Sequence, residues 1–193
     1  EAIAGLKAIF EKRHIPIAFG KASTELVTEA KKYLKLPGRY RSFLLESNPI
    51  KVETSTPVES LRLLPAEELL KEQVGFSLKE DFTPAEPSSW RKSWVIIGQS
   101  TLLGDPYFLD TSKIDAEGDC PVYTAMSGTD RWEPRLAASS FVQFLQLVTA
   151  AMEVAEGFGK AALGVDDEDV FREALGPKIR AIDPAALRAG HWT

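Results

Sequence analysis

At 193 residues, 44% hydrophobic and 26% charged, the chain has the composition of one folded domain with extensions and is not that of a disordered polymer. Its apolar runs are a few residues long, far short of the roughly 20 that cross a bilayer, so no membrane span is expected. The net charge of −5 divides into +4 over residues 1–50, −7 over 51–130 and −2 over 131–193, which argues against a general affinity for nucleic-acid backbones.

In chain order, residues 1–13 predict a short amphipathic helix with Ile3, Leu6, Ile9 and Phe10 along one side, broken by Pro16 and Gly20. A second helix starts at Ser23 or Thr24 as N-cap and carries Leu26, Val27, Ala30, Tyr33 and Leu34 at helical spacing. After Leu36-Pro37-Gly38, a third helix presents Tyr40, Phe43 and Leu44. It stops at Ser47-Asn48-Pro49, because the residue before proline is pushed out of the α region. Residues 50–57 are polar and β-branched and suit a strand or an irregular loop. Ser60–Leu64 predicts a strand, and Pro65 opens a short helix ending near Gly75. Asp81–Ser89, with two prolines and no period, is a surface loop.

Trp94–Gln99 is apolar at nearly every position and predicts a central strand covered on both faces. Tyr107–Asp110 follows across a short glycine-containing turn, which fits a hairpin, and Pro121–Met126 is a third strand. A long helix beginning near Ala137 carries Phe141, Phe144, Leu145, Val148, Met152 and Ala155 as a broad apolar stripe and ends at Gly157 and Gly159. An acidic-started helix from Asp166 and a short piece after Pro184 complete the chain. The order predicts an α+β fold, a mostly antiparallel sheet flanked by helices. Its expected division is an N-terminal helical extension over 1–22, a central α+β domain over 23–150, and a C-terminal helical extension over 151–193 packed on the same domain.

The chemistry-bearing residues are few. One cysteine, Cys120, excludes an internal disulfide framework and a multi-cysteine zinc cluster, and makes a cytoplasmic location the expectation. Beside Pro121 and a strand, that thiol reads as structural. The two histidines, His14 and His191, both lie in terminal extensions, away from an evident nucleophile and orienting acid. Ser100 in GQSTLLG misses the G-x-S-x-G spacing because position 102 is leucine. GFGKAA at 157–162 follows a helix, so it reads as a helix C-terminus and not as a dinucleotide fingerprint. Asp105, Asp110, Asp115, Glu117 and Asp119 have the composition of strand-joining turns, without the alternating spacing of a calcium loop. No catalytic residue, metal or cofactor is assigned. Lys31, Lys32, Lys35, Arg39 and Arg41 form the one basic group and read as solvated helix-face charge. Trp90 and Trp132 sit in polar loops, SSWRKS and TDRWEP. They are either anchors of a protein interface or ties holding those loops to the sheet. With Asp105 and Asp110 they make up the candidate partner-binding set.

Five segments in order, LPGRYRSFLLESN, SLRLLPAEELL, SWVIIGQSTLLGDPYFLDTS, PVYTAMSGT and AASSFVQFLQLV, resemble the SUKH superfamily, which contains fungal cell-wall-synthesis regulators and many bacterial immunity proteins. The resemblance covers about Ser23–Val148. It rests on Leu36, Pro37, Tyr40, Phe43 and Leu44 in the first segment, Ile97, Gly98, Gly104, Asp105 and Asp110 in the hairpin, and Ser140, Phe141, Phe144 and Leu145 opening the last helix. One departure is Asn48-Pro49, where the family commonly has Asn-Gly, so the local turn must differ. The resemblance implies a SUKH-like module that binds a protein partner, most simply a bacterial immunity protein neutralising a cognate toxin. The acidic middle segment would complement a basic toxin such as a nuclease. Two alternatives are a small hydrolase or metal-dependent enzyme using Asp105 and Asp110, and a regulatory scaffold without a toxin partner. Direct nucleic-acid binding is not expected, and the sequence carries no signal for oligomeric state.

Overall fold

Six strands cross one sheet in chain order, each antiparallel to the next: β1 (Glu53–Ser55), β2 (Ser60–Leu63), β3 (Trp94–Ser100), β4 (Pro106–Asp110), β5 (Val122–Thr124) and β6 (Arg135–Ala138). This computed structural model describes residues 1–13, 18–158 and 165–193. Within them lie α1 (Ala2–Lys12), α2 (Thr24–Lys31), α3 (Gly38–Ser47), α4 (Leu69–Glu72), α5 (Phe141–Ala155), α6 (Val165–Ile182) and α7 (Pro184–Ala189). The fold is α+β with an antiparallel sheet, as the sequence predicts. None of the described helices is long and apolar enough to cross a membrane.

Strand alternation divides the core in two. Val95, Ile97, Tyr107 and Leu109 point to the helix side, where they join α5 residues Phe144, Leu147 and Val148. The same cluster takes in Leu6 and Phe10 of α1, Phe171, Leu175 and Ile179 of α6, and Trp192 near the C-terminus. Each such fully buried side chain contributes about 2 kcal/mol. Trp94, Ile96 and Phe108 point the other way, into a smaller aromatic cluster with Trp90 and Leu64, edged by Phe76, Tyr123 and Trp132. β3 is therefore covered on both faces, as its unbroken apolar run predicts.

Local chemistry fixes the registers. β3 carries an extra residue at Ile97, since Ile96 pairs with Phe108 and Gly98 with Tyr107. A Cβ on Gly98 would lie 2.9 Å from the Arg62 carbonyl oxygen, so only glycine lets β2 approach this closely. Beyond the end of β2, the buried Gln73 side chain continues the ladder: its Nε2 donates to the Ile96 carbonyl and its Oε1 accepts from the Ile96 amide, both at 2.9 Å. Asn48, fully buried, closes α3 and pins the next segment by accepting from the Ala66 amide at 2.8 Å.

Two element expectations are corrected. The long helix α5 begins at Phe141, not near Ala137, and residues 135–138 form β6. Ala137 and Ala138 favour helix by propensity, but pairing of Val122 with Ala138 and Tyr123 with Leu136 overrides it. The helix starts where its amides find acceptors: Ser140 Oγ takes the Gln143 amide at 3.1 Å and the Asp119 carboxylate takes those of Phe141 and Val142 at 2.8 and 3.2 Å. The helix expected after Pro65 shrinks to the single turn of α4; ahead of it the Glu68 and Leu69 amides reach only three residues back, to the Pro65 and Ala66 carbonyls, so the chain there runs through tight turns.

Candidate protein-interaction site

The β3–β4 turn and the loop between β5 and β6 meet at one end of the sheet. Gly104, with φ of 74°, adopts the left-handed conformation that turns the chain back. Asp105 then locks the two loops: its Oδ1 accepts from the Ser127 amide at 2.7 Å, while Ser127 Oγ donates to the Gly104 carbonyl at 3.0 Å. Held in this way, the loops expose apolar side chains. Leu103 is 73% exposed, Met126 65% and Leu102 44%. Beside them is a cavity of about 440 Å³ lined by Asp105, Met126, Arg131, Glu133, Arg135 and His191, among others.

A polar chain backs this cavity. Glu59 accepts from Ser100 Oγ at 2.7 Å and from Tyr107 OH at 3.0 Å, and His191 Nε2 lies 2.8 Å from the same tyrosine oxygen. Tyr107 has a single proton and gives it to Glu59, so the hydrogen between tyrosine and imidazole resides on His191 Nε2. Burial, reinforced by the positive charges of Arg135 and Arg172, lowers the His191 pKa to about 4 and keeps the ring neutral near pH 7. Burial and the adjacent Glu59 raise that of Tyr107 well above its usual value.

The four candidate partner-binding residues occupy three places. Asp105 is at the tip. Trp132, half-buried, stacks edge-on against Trp90 with ring centroids 5.4 Å apart, and its amide donates to Ser89 Oγ at 3.0 Å. Trp90 itself is buried among Trp94, Phe108 and Phe76, so its loop is tied down onto the sheet. Asp110 lies at the opposite end of β4, five residues and roughly 17 Å of strand from Asp105 at about 3.4 Å per residue. The structure does not bring these two carboxylates together. Asp110 is buried and its Oδ1 accepts from the Ser112 amide and hydroxyl at 3.1 and 2.6 Å. Burial pushes its pKa up, but the Ser112 bonds and Lys113 outweigh that and hold it below the usual carboxylate range.

Of the remaining acids, Asp115 and Asp119 serve backbone, while Glu117 is exposed and pairs with Arg39. Asp115 accepts from the Glu117 and Asp119 amides, and Asp119 from Cys120, Phe141 and Val142. Among the described residues no three His, Cys, Asp or Glu side chains gather as a metal-binding group. Cys120 is buried, and burial with the neighbouring Asp119 pushes its thiol up to about 12, so it is not a ready nucleophile. His14 and most of the stretch 157–162 lie outside the described residues. Sequence reasoning missed Glu59, Arg135 and His191 as neighbours of the tip. Their separation along the chain left no local signal.

No curated protein and no solved structure matches the chain. A model of the SMI1 / KNR4 family (SUKH-1) matches residues 21–147, which spans α2 to α4, the whole sheet and the first half of α5, and the chain belongs to that family.

Proposed function

We propose that this chain is a non-catalytic protein-binding module, and within that class a bacterial immunity protein that acts in the cytoplasm by capping a cognate toxin. The observation that carries the reading is the tip: Leu102, Leu103 and Met126 stand exposed on loops that Asp105 holds in place, beside a cavity rimmed by both signs of charge. Apolar anchors inside a polar rim are the anatomy of a protein interface, and a pre-ordered loop pair loses little entropy on docking. Family resemblance supports a protein partner, and the acidic middle of the chain favours a basic one, such as a nuclease toxin. In this reading Asp105 and Trp132 belong to the contact region. Trp90 supports Trp132 from within, and Asp110 belongs to the opposite, structural end of β4.

The test is co-expression with the product of the neighbouring gene. Rescue of growth, with a one-to-one complex on purification, is the expected result. A neighbour that is neither toxic nor bound would overturn the toxin reading, and a stable complex with a non-toxic protein would favour the regulatory scaffold instead.

A further inference from the structure

The basic group of the N-terminal third has a structure that solvated helix-face charge does not explain. Lys31 at the end of α2 and Arg39 and Arg41 in the first turn of α3 converge on one cavity of about 510 Å³, which shares no lining residue with the tip cavity. Thr24, Thr28 and Ser42 line the same space.

Three observations say what is missing from it. Arg41 Nε is buried and has no hydrogen-bond partner, although an unpaired buried donor of a charged group is costly. The Arg41 guanidinium also folds back over its own helix start: Nη2 lies 3.8 Å from where a Cβ on Gly38 would be. That is the positive end of the α3 dipole, where cations are disfavoured and anions favoured. Finally, no side chain caps α3, whose N-cap is Pro37; of its first amides, that of Arg39 is taken by the Gly118 carbonyl at 3.0 Å. The only carboxylate lining this cavity is Glu117, 3.6 Å from Arg39 Nη2 in a solvent-exposed pair of little strength.

We propose that this α2–α3 corner is a binding site for a phosphate dianion, either free or as the monoester of a small molecule. Arg41 and Arg39 clamp its oxygens, Lys31 adds charge, and the threonine and serine hydroxyls complete the donors. Val27 and Leu45 give the carbon part of a monoester an apolar wall. The site goes beyond the protein-binding reading and does not depend on it.

The experiment is a titration of the full chain followed by two-dimensional NMR of backbone amides and arginine Nε–H groups. Inorganic phosphate and O-phosphoserine are the two probes, with ionic strength held constant by sodium chloride. Saturable shifts at Gly38, Arg39 and the Arg41 Nε–H are expected, with phosphate and phosphoserine distinguishing a free ion from a monoester site. Binding should strengthen as pH rises through about 6, where the second phosphate proton is lost. Arg41→Gln and Lys31→Gln should each weaken binding about tenfold. Lys31 is exposed, so its variant carries the test if Arg41→Gln does not fold. Absence of saturation with both probes, equal shifts from chloride alone, or undiminished affinity in Lys31→Gln would overturn the proposal.

Discussion

The two ends of β4 carry the same kind of residue and use it in opposite ways. At the Asp110 end the three aspartates are engaged by backbone, and only the exposed Glu117 is not: Asp110 closes the strand, Asp115 shapes the following turn, and Asp119 caps α5. At the Asp105 end one carboxylate locks two loops, and the rest of the surface stays open, apolar at Leu103 and Met126 and charged around the cavity. An aspartate in a turn therefore does not mark chemistry by itself. What separates a structural end from a recognition end is whether neighbouring side chains are consumed by the fold.

The largest expected effect lies at the closed end. Asp119→Ala leaves the amides of Cys120, Phe141 and Val142 without their acceptor and should cost about 3 kcal/mol, read from urea unfolding. A loss below about 0.5 kcal/mol would mean that this end is not held as described.

Acid should act at the open end. His191 titrates near 4 when folded and near 6.5 when unfolded, so between those values the unfolded chain binds the proton more readily. Stability is then complete above about pH 6.5 and falls as pH drops toward 4, by up to about 3 kcal/mol. His191→Gln should flatten that part of the stability curve, and an unchanged slope would contradict the assigned environment.

Asp105→Ala should cost about 1 kcal/mol, because only the one bond to Ser127 is lost. It should also raise amide exchange at Ser127 and Gly104 while leaving β5 protected. The smallest stability effect belongs to Leu103→Ser with Met126→Ser, within about 0.5 kcal/mol of the parent in thermal unfolding, since neither side chain is packed.

Much of the fold was legible in the sequence because periodicity and caps are local. The unbroken run Trp94–Gln99 announced a strand buried on both faces, and Ser23 announced the start of α2, where its Oγ takes the Leu26 amide. The failures have physical causes. Ala137-Ala138 reads as helix until β5 supplies pairing partners, and the segment after Pro65 reads as a longer helix although its Glu68 and Leu69 amides close tight turns three residues back. The resemblance placed Ser140-Phe141 at the opening of α5 more accurately than periodicity did, because it carried information about that distant pairing. At the tip, Asp105 was visible as a turn residue. Glu59, Arg135 and His191 were not, since three distant segments bring them there.

The central claim is that recognition resides in the exposed side chains of the tip. The most direct measurement is the affinity of the purified cognate partner for the parent chain and for Leu103→Asp/Met126→Asp, by calorimetry at fixed salt. Loss of affinity by about 100-fold or more, with unfolding unchanged, is the result this account predicts. Equal affinity in a correctly folded double variant would place recognition elsewhere and contradict it.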